Sequence, residues 1–355
     1  MAYASITKPS LNFNNKLYTG TGSAGNAITG VGFQPDWVWV KNRGSGSANH
    51  RMANSVNGSS EVHSSNITNV GADSSYFSSF DSDGFTVGNA SDPNTSSGNY
   101  ISWNWKAGTT GSGTTTGSGT GKAYSYSVNT TNGCSIIKYI GNGTAGHTIP
   151  HHLGVNADFV MVKALGNTES WQVITRAMDA DKFIQLNSHD AQISQGSYNM
   201  FNSTRPSSTV VTLGNQNHTN QDGIQYAMYV FADKKGYSRQ GIFEGNNNAN
   251  GSFVYLGFKP AFLLVKNIDT GGVNYDWLMF DSARNTGNLN DDYIKANQSS
   301  SETTSGRNAV DFFSNGFKCK SSYGDLNSSS TYLYWAFASE PLVANVGNSI
   351  PATAR

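Results

Sequence analysis

Apolar positions along this chain rarely recur at a helical period. They fall in short runs, continuous or alternating, cut by Gly, Asn, Ser and Pro, which is the pattern of strands joined by turns. One run occurs three times without gaps. Its copies are Gly32-Phe33-Gln34-Pro35-Asp36-Trp37-Val38-Trp39-Val40-Lys41, Gly154-Val155-Asn156-Ala157-Asp158-Phe159-Val160-Met161-Val162-Lys163 and Gly257-Phe258-Lys259-Pro260-Ala261-Phe262-Leu263-Leu264-Val265-Lys266. Gly and Pro break the preceding segment. Four apolar residues then predict a strand buried on both faces, and the Lys is expected to end it at the surface. The copies start at 32, 154 and 257, offsets of 122 and 103, so the unit is domain-sized and too long for a solenoid.

Other features keep step with this motif. Upstream, an apolar strand enters a Gly/Asn turn at Leu17-Tyr18-Thr19-Gly20, Tyr139-Ile140-Gly141-Asn142 and Phe243-Glu244-Gly245-Asn246. Downstream come Asp83-Gly84-Phe85-Thr86-Val87-Gly88, the looser Val210-Val211-Thr212-Leu213-Gly214, and Asn315-Gly316-Phe317-Lys318-Cys319-Lys320. An aromatic strand closes each copy: Tyr100 to Trp105, Tyr226 to Ala232, Tyr332 to Ala338. The expected architecture is all-β, with three tandem antiparallel β-sandwich repeats of jelly-roll-like form. The expected boundaries are an N-terminal arm and first repeat over 1–108, a Gly/Thr/Ser linker over 109–121, repeats over 122–236 and 237–342, and a tail over 343–355. Thr109 to Gly121 reads as a flexible linker or an irregular bridging strand. The short turn Ala232 to Tyr237 joins the other two repeats, so these are expected to pack together and the first to stand apart.

Composition removes several function classes. Lys+Arg and Asp+Glu are both 23, giving a formal net charge of +0 and no global field for nucleic acid or an anionic membrane. Charged residues are only 13%, too few for long solvated helices, and Gly, Ser, Thr and Asn carry the polarity. The N-terminus shows no secretory apolar region, and no apolar run reaches the roughly 18 residues of a membrane span. Cys134 and Cys319 fall in different repeats and read as free, partly buried thiols.

Candidate chemistry is thin. Gly20-Thr21-Gly22-Ser23-Ala24-Gly25 and Gly141-Asn142-Gly143-Thr144-Ala145-Gly146 fit G-x-G-x-x-G, but no helix pattern follows to receive a pyrophosphate. Equivalent places in two repeats argue for a shared turn. Gly119-Thr120-Gly121-Lys122 lacks the Ser/Thr of a phosphate loop. His147, His151 and His152, with distant His218, read as solvent-facing strand-entry residues rather than a zinc site. Asp81 and Asp83 are too few for calcium and read as an Asx turn. For a glycosidase pair, Asp36 and Asp158 are equivalent but the third copy has Ala261, and no spacing singles out a pair among Asp276, Asp281, Asp291, Asp292, Glu302 and Asp311. Asp281 and Arg284 suggest a local salt bridge. Trp103 and Trp105 share one strand face and predict core, with Ser102 and Asn104 toward solvent; an exposed tryptophan platform for sugars is the rival reading. No catalytic, cofactor-binding or metal residue is assigned.

Taken together, Gly32 to Arg43, Asp81 to Gly88, Trp103 to Gly108, Gly141 to Gly146, Gly241 to Lys266, Phe280 to Arg284, Phe312 to Lys318 and Tyr332 to Pro341 resemble a domain family of unknown function. That family is common in virion proteins of marine bacteriophages and often labelled tail-fibre-like. The family tends to carry an Asp and an Arg within the segment that reads His50 to Asn57 here. The resemblance implies a virion location, on the tail or the capsid surface, after synthesis in the host cytoplasm. It implies a non-enzymatic structural protein for assembly and host attachment, or a capsid decoration protein. A carbohydrate-active depolymerase is the enzymatic rival. Implied partners are other virion proteins, further copies in a homo-oligomer (a trimer by analogy), and a host surface glycan or outer-membrane receptor. Neither nucleic acid nor membrane insertion is expected.

Overall fold

A computed structural model describes residues 4–342, except 45, 197 and 305. The expected tail over 343–355 lies outside the described residues. The chain is nearly all β, in antiparallel sheets. Each repeat contributes one large sheet and one three-stranded sheet.

Four strands recur in the same order in every large sheet: an opening strand, the closing strand, the motif strand, and the strand after it. In the first repeat these are Phe13–Thr19, Asn99–Trp105, Trp37–Asn42 and Arg51–Asn54. In the second they are Cys134–Ile140, Gln225–Phe231, Phe159–Ala164 and Gln172–Thr175. In the third they are Ser238–Glu244, Thr331–Pro341, Phe258–Asn267 and Leu278–Asp281. The register agrees too, because Trp37 lies opposite Trp105, Phe159 opposite Phe231 and Phe262 opposite Phe337.

The continuous apolar runs are explained by what lies on each side of the motif strand. Successive side chains point to opposite faces. Val38 and Val40 enter a core belonging to the first repeat, with Ile28, Phe85 and Val87 of its small sheet. Val160 and Val162 do the same with Ile149, Val211 and Leu213, and Leu263 and Val265 with Val254 and Phe317. The alternate residues Trp37 and Trp39, Phe159 and Met161, and Phe262 and Leu264 all enter one further cluster shared by the three repeats. Trp335 from the third repeat stacks on Phe159 of the second (4.6 Å, 2°) and lies parallel to Trp105 of the first (5.8 Å, 3°). Such a strand has no solvent face, and all seven tryptophans are fully buried.

Two expectations are corrected here, and for the 109–121 segment the strand alternative holds over most of its length. The first repeat does not stand apart, since Trp37, Trp39, Trp103 and Trp105 occupy the shared core. The 109–121 segment is largely paired: Thr109–Thr114 lies against Ala123–Asn129 and extends the second large sheet, and Thr116–Gly117 pairs with His147–Pro150. The Tyr124 and Tyr126 rings lie against Gly113 and Gly111, so a strand without side chains is packed by its neighbour's rings. Ser102 and Asn104 do not reach solvent, because their face looks into the first repeat's own core; both are fully buried. The chain start closes the assembly. Ser5 N donates to Lys235 O (2.8 Å) at the turn between the second and third repeats, and Ile6 joins the shared core.

Truncating Trp335 should therefore disturb all three repeats. Trp335→Ala is expected to cost about 3–5 kcal/mol in chemical denaturation, with the loss reported by far-UV circular dichroism of the whole chain. A loss below about 1 kcal/mol would contradict the shared core.

Candidate functional site

Several of the side chains able to carry chemistry lie in the seams between repeats. The register makes His50, Trp171 and Trp277 equivalent: each directly precedes the residue paired with the last valine of its motif, Val40, Val162 or Val265. Trp171 Nε1 of the second repeat donates to Ser64 O of the first (2.8 Å). Trp277 Nε1 of the third donates to Gln185 O of the second (3.0 Å). His50 Nε2 of the first lies 3.0 Å from Lys295 O of the third. A carbonyl only accepts, so this nitrogen carries the proton, and Nδ1 accepts from Trp39 Nε1 (2.8 Å). The acceptors are equivalent as well, each following the residue paired with Met52, Val173 or Met279. Three like bonds thus run head to tail and close a ring, the heterologous contact that generates closed assemblies, here within one chain.

The motif lysines form a second set, and Lys163 and Lys266 reach across the same seams. They were expected at the surface, yet Lys41, Lys163 and Lys266 are fully buried. Lys163 Nζ donates to Ala164 O and Glu169 O of its own repeat and to Thr68 O of the first (2.8–3.1 Å). Lys266 Nζ does the same with Asn267 O, Tyr275 O and His189 O of the second (2.9–3.1 Å). Lys41 Nζ donates to Asn42 O (2.7 Å). Burial lowers all three to about 8, so each remains mainly an ammonium at neutral pH. A buried ammonium needs acceptors, and these carbonyls supply them.

The Gly-rich turns are closed by asparagine side chains. Asn94, Asn220 and Asn327 each clamp one. Their side-chain oxygens accept the amides of Thr21, Asn142 and Asn246. Their amide nitrogens donate to Ser23 O and Gly88 O, to Thr144 O and Gly214 O, and to Asn248 O and Ser321 O. A Cβ on Gly20, Gly141 or Gly245 would lie about 2 Å from a backbone oxygen (2.2, 2.3 and 1.9 Å), which explains the glycine.

The other candidates have comparable roles. His147 and His151 are fully buried, against the expectation of solvent exposure: strand alternation points His147 inward, where it meets Asn220 and Thr115, and His151 meets Ser207 O. His152 stacks on Tyr126 (3.9 Å), and His218 pairs with Glu169 (2.7 Å). Asp36 and Asp158 cap the exits of the closing strands, accepting the amides of Ala107 and Asp233 (both 2.7 Å). Asp83 accepts from Gly30 N and Gly32 N, and Asp81 from Ser79 and Thr86 hydroxyls. Cys134 and Cys319 are free and buried. Asp281 and Arg284 do form a salt bridge (2.6 Å), and it extends further. Arg284 meets Glu302 (2.9 Å), Glu302 meets Arg43 of the first repeat (2.7 Å), and Trp103 Nε1 donates to Asp281 (3.2 Å). Asn54 stands where the third repeat has Asp281, and it instead donates to the Tyr229 hydroxyl of the second repeat (2.8 Å). Among the described residues no group of three or more His, Cys, Asp or Glu could hold a metal ion, and no helix is long and apolar enough to cross a membrane.

Open clefts flank the seams, and two of them exceed 500 Å³. One, of about 580 Å³, lies between the second and third repeats beside Asp233, Arg239 and Tyr255. The other, of about 520 Å³, lies between the first and second beside Asp36, Lys106 and Tyr126.

The chain is all-β, built of antiparallel sheets packed on one shared core. The chain belongs to the family described as a domain of unknown function, DUF7483, whose model matches residues 8–341. No curated protein and no solved structure matches the chain.

Sequence reasoning missed the ring. His50, Trp171 and Trp277 follow their motif lysines by 9, 8 and 11 residues, so no fixed spacing marks them. The Asn clamp had a usable signal, an Asn five or six residues before the aromatic that opens each closing strand (Tyr100, Tyr226, Tyr332).

The ring bond can be separated from bulk. Trp171→Phe orphans Ser64 O and should cost about 1–3 kcal/mol beyond the lost volume. The Trp37 Nε1 has no partner, and the sister residues are Phe159 and Phe262, so Trp37→Phe should cost less. Equal urea-midpoint shifts in the two variants would contradict the assignment.

The buried histidines fix a pH dependence. Burial first, then the Lys41 charge, holds His50 well below its usual 6.5, and burial lowers His63 to about 3 and His151 to about 4. Between pH 6.5 and 5 these histidines bind protons in the unfolded chain and not in the folded one, which outweighs the one proton that Asp233, raised to about 8, keeps in the folded chain, so stability rises with pH there and falls on acidification. Urea midpoints measured from pH 7 to pH 5 should drop. A flat profile would contradict the buried neutral rings.

Proposed function

We propose that this chain is a non-enzymatic structural protein of a bacteriophage virion, tail-fibre-like, serving assembly and host-surface attachment. Under this reading each repeat is a jelly-roll-like sandwich unit, and three tandem units act as one rigid body. The observation that supports it is the use made of the chemical groups. The buried lysines, the three aromatic donors, the clamping asparagines and the capping carboxylates are all engaged in holding repeats or turns together. A body that transmits force or spans a distance gains from such locking. Loops at the sheet ends supply contact surface.

The oligomeric expectation is narrowed. A core that a trimer of single repeats would share is already present within one chain, so further copies would associate through outer surfaces. The alternative is a decoration protein on the capsid. Gold-labelled antibody against the chain, viewed on intact particles by electron microscopy, tests the location. Label on tails is expected, label on capsid faces supports the alternative, and unlabelled particles would sink the virion assignment. Reproducible release of oligosaccharide from host polysaccharide, abolished by one carboxylate substitution, would overturn the non-enzymatic reading.

A further inference from the structure

The three repeats serve as internal controls for one another. A residue needed by the fold should recur at its equivalent position, and a residue found in one copy only has another reason to be there. The small-sheet strand Phe253–Tyr255 gives the clearest departure. Val254 points into the third core, opposite Phe317, as Ile28 does opposite Phe85 and Ile149 opposite Val211. The outward neighbours differ. The first repeat has Ala27 and Thr29, the second Thr148 and Pro150, and the third Phe253 and Tyr255. These two rings are 48% and 52% exposed. The scaffold is built twice without them.

Both rings project from the same face of the strand, with Cα atoms about 6.6 Å apart at the usual rise. Tyr255 also lines the 580 Å³ cleft, together with Asp233, Lys234, Ser238 and Arg239. Arg239 Nη1 donates to Tyr255 O (3.0 Å), which holds the guanidinium at the backbone of that strand. Asp233 accepts the Gln240 amide through one oxygen (2.9 Å) and has a second oxygen for another donor. Apolar ring faces next to a carboxyl and a guanidinium suit a ligand that is apolar on one face and rich in hydroxyls at its edge. Burial and the nearby Asp158 push the Asp233 carboxyl up to about 8, so at neutral pH it is mainly an uncharged acid beside Lys234, Lys235 and Arg239. The strand is three residues long, too short to template an added peptide strand, and its rings lie on the face rather than along the hydrogen-bonding edge.

We infer that Phe253, Tyr255, Asp233 and Arg239 form a carbohydrate-binding site, taking pyranose rings of a surface glycan. The inference rests on the attachment reading above and names its ligand class. Phe253→Ala with Tyr255→Thr restores the first repeat's own residues, so the double variant should fold. Saturation-transfer difference NMR on the full chain, with a panel of methyl pyranosides, maltotriose and cellotriose, gives the readout. Transfer to at least one sugar is expected, falling at least tenfold in the double variant and in Arg239→Ala. No transfer from the wild-type chain, or transfer unchanged in the double variant, would overturn the site. So would sedimentation showing that wild type self-associates and the double variant does not, since the face would then be a contact between copies. Labelled particles combined with absent sugar binding would sink this inference alone and leave the virion reading standing.

Discussion

Three hydrogen bonds decide how this chain is arranged. Each links the side chain at position 50, 171 or 277 to a backbone carbonyl of the preceding repeat in a closed cycle. Because the cycle closes, no repeat is terminal. The second hands its indole to the first, the third to the second, and the first hands an imidazole back to the third. That last bond sets a demand the indoles do not. His50 must stay neutral and protonated on Nε2, which burial and the neighbouring Lys41 charge both favour.

The aromatic core and the lysines follow from this closure. Three large sheets facing one another need inward residues large enough to fill the space between them, and Trp37, Trp105, Trp335, Phe159, Phe231, Phe262 and Phe337 do so. The same strands bring a lysine inward one step beyond. Its charge is tolerable because loops of the adjoining repeat turn carbonyls toward it. Seams made of indoles, ammonium groups and carbonyls are directional, so they fix register as well as hold the repeats together. The ion-pair chain from Arg43 through Glu302 and Arg284 to Asp281 ties the first repeat to the third, and Lys138 with Glu61 (3.1 Å) ties the second to the first.

Much of this was legible in the sequence, and the limits are physical. The gapless motif gave the repeat, and its unbroken apolar run gave a strand covered on both sides. The shared turn explained the G-x-G-x-x-G matches. What covers the second side was not legible, because a run such as Trp37 to Val40 looks the same whether its outer face meets its own sheet or another repeat. Lys41, Lys163 and Lys266 were misplaced because carbonyl partners from distant loops leave no mark in local sequence. The 109–121 segment stayed open between linker and bridging strand because Gly/Thr/Ser composition suits either, while Tyr124 and Tyr126 supply the packing from the next strand. Phe253 and Tyr255 drew no attention until the repeats could be aligned by register.

The central claim is that three repeats form one cooperative unit. Scanning calorimetry tests it most directly, by comparing the measured unfolding enthalpy with the van't Hoff enthalpy. A ratio near one, with tryptophan fluorescence and far-UV circular dichroism melting together, is the predicted result. Two resolved transitions, with the first repeat unfolding apart from the other two, would contradict it.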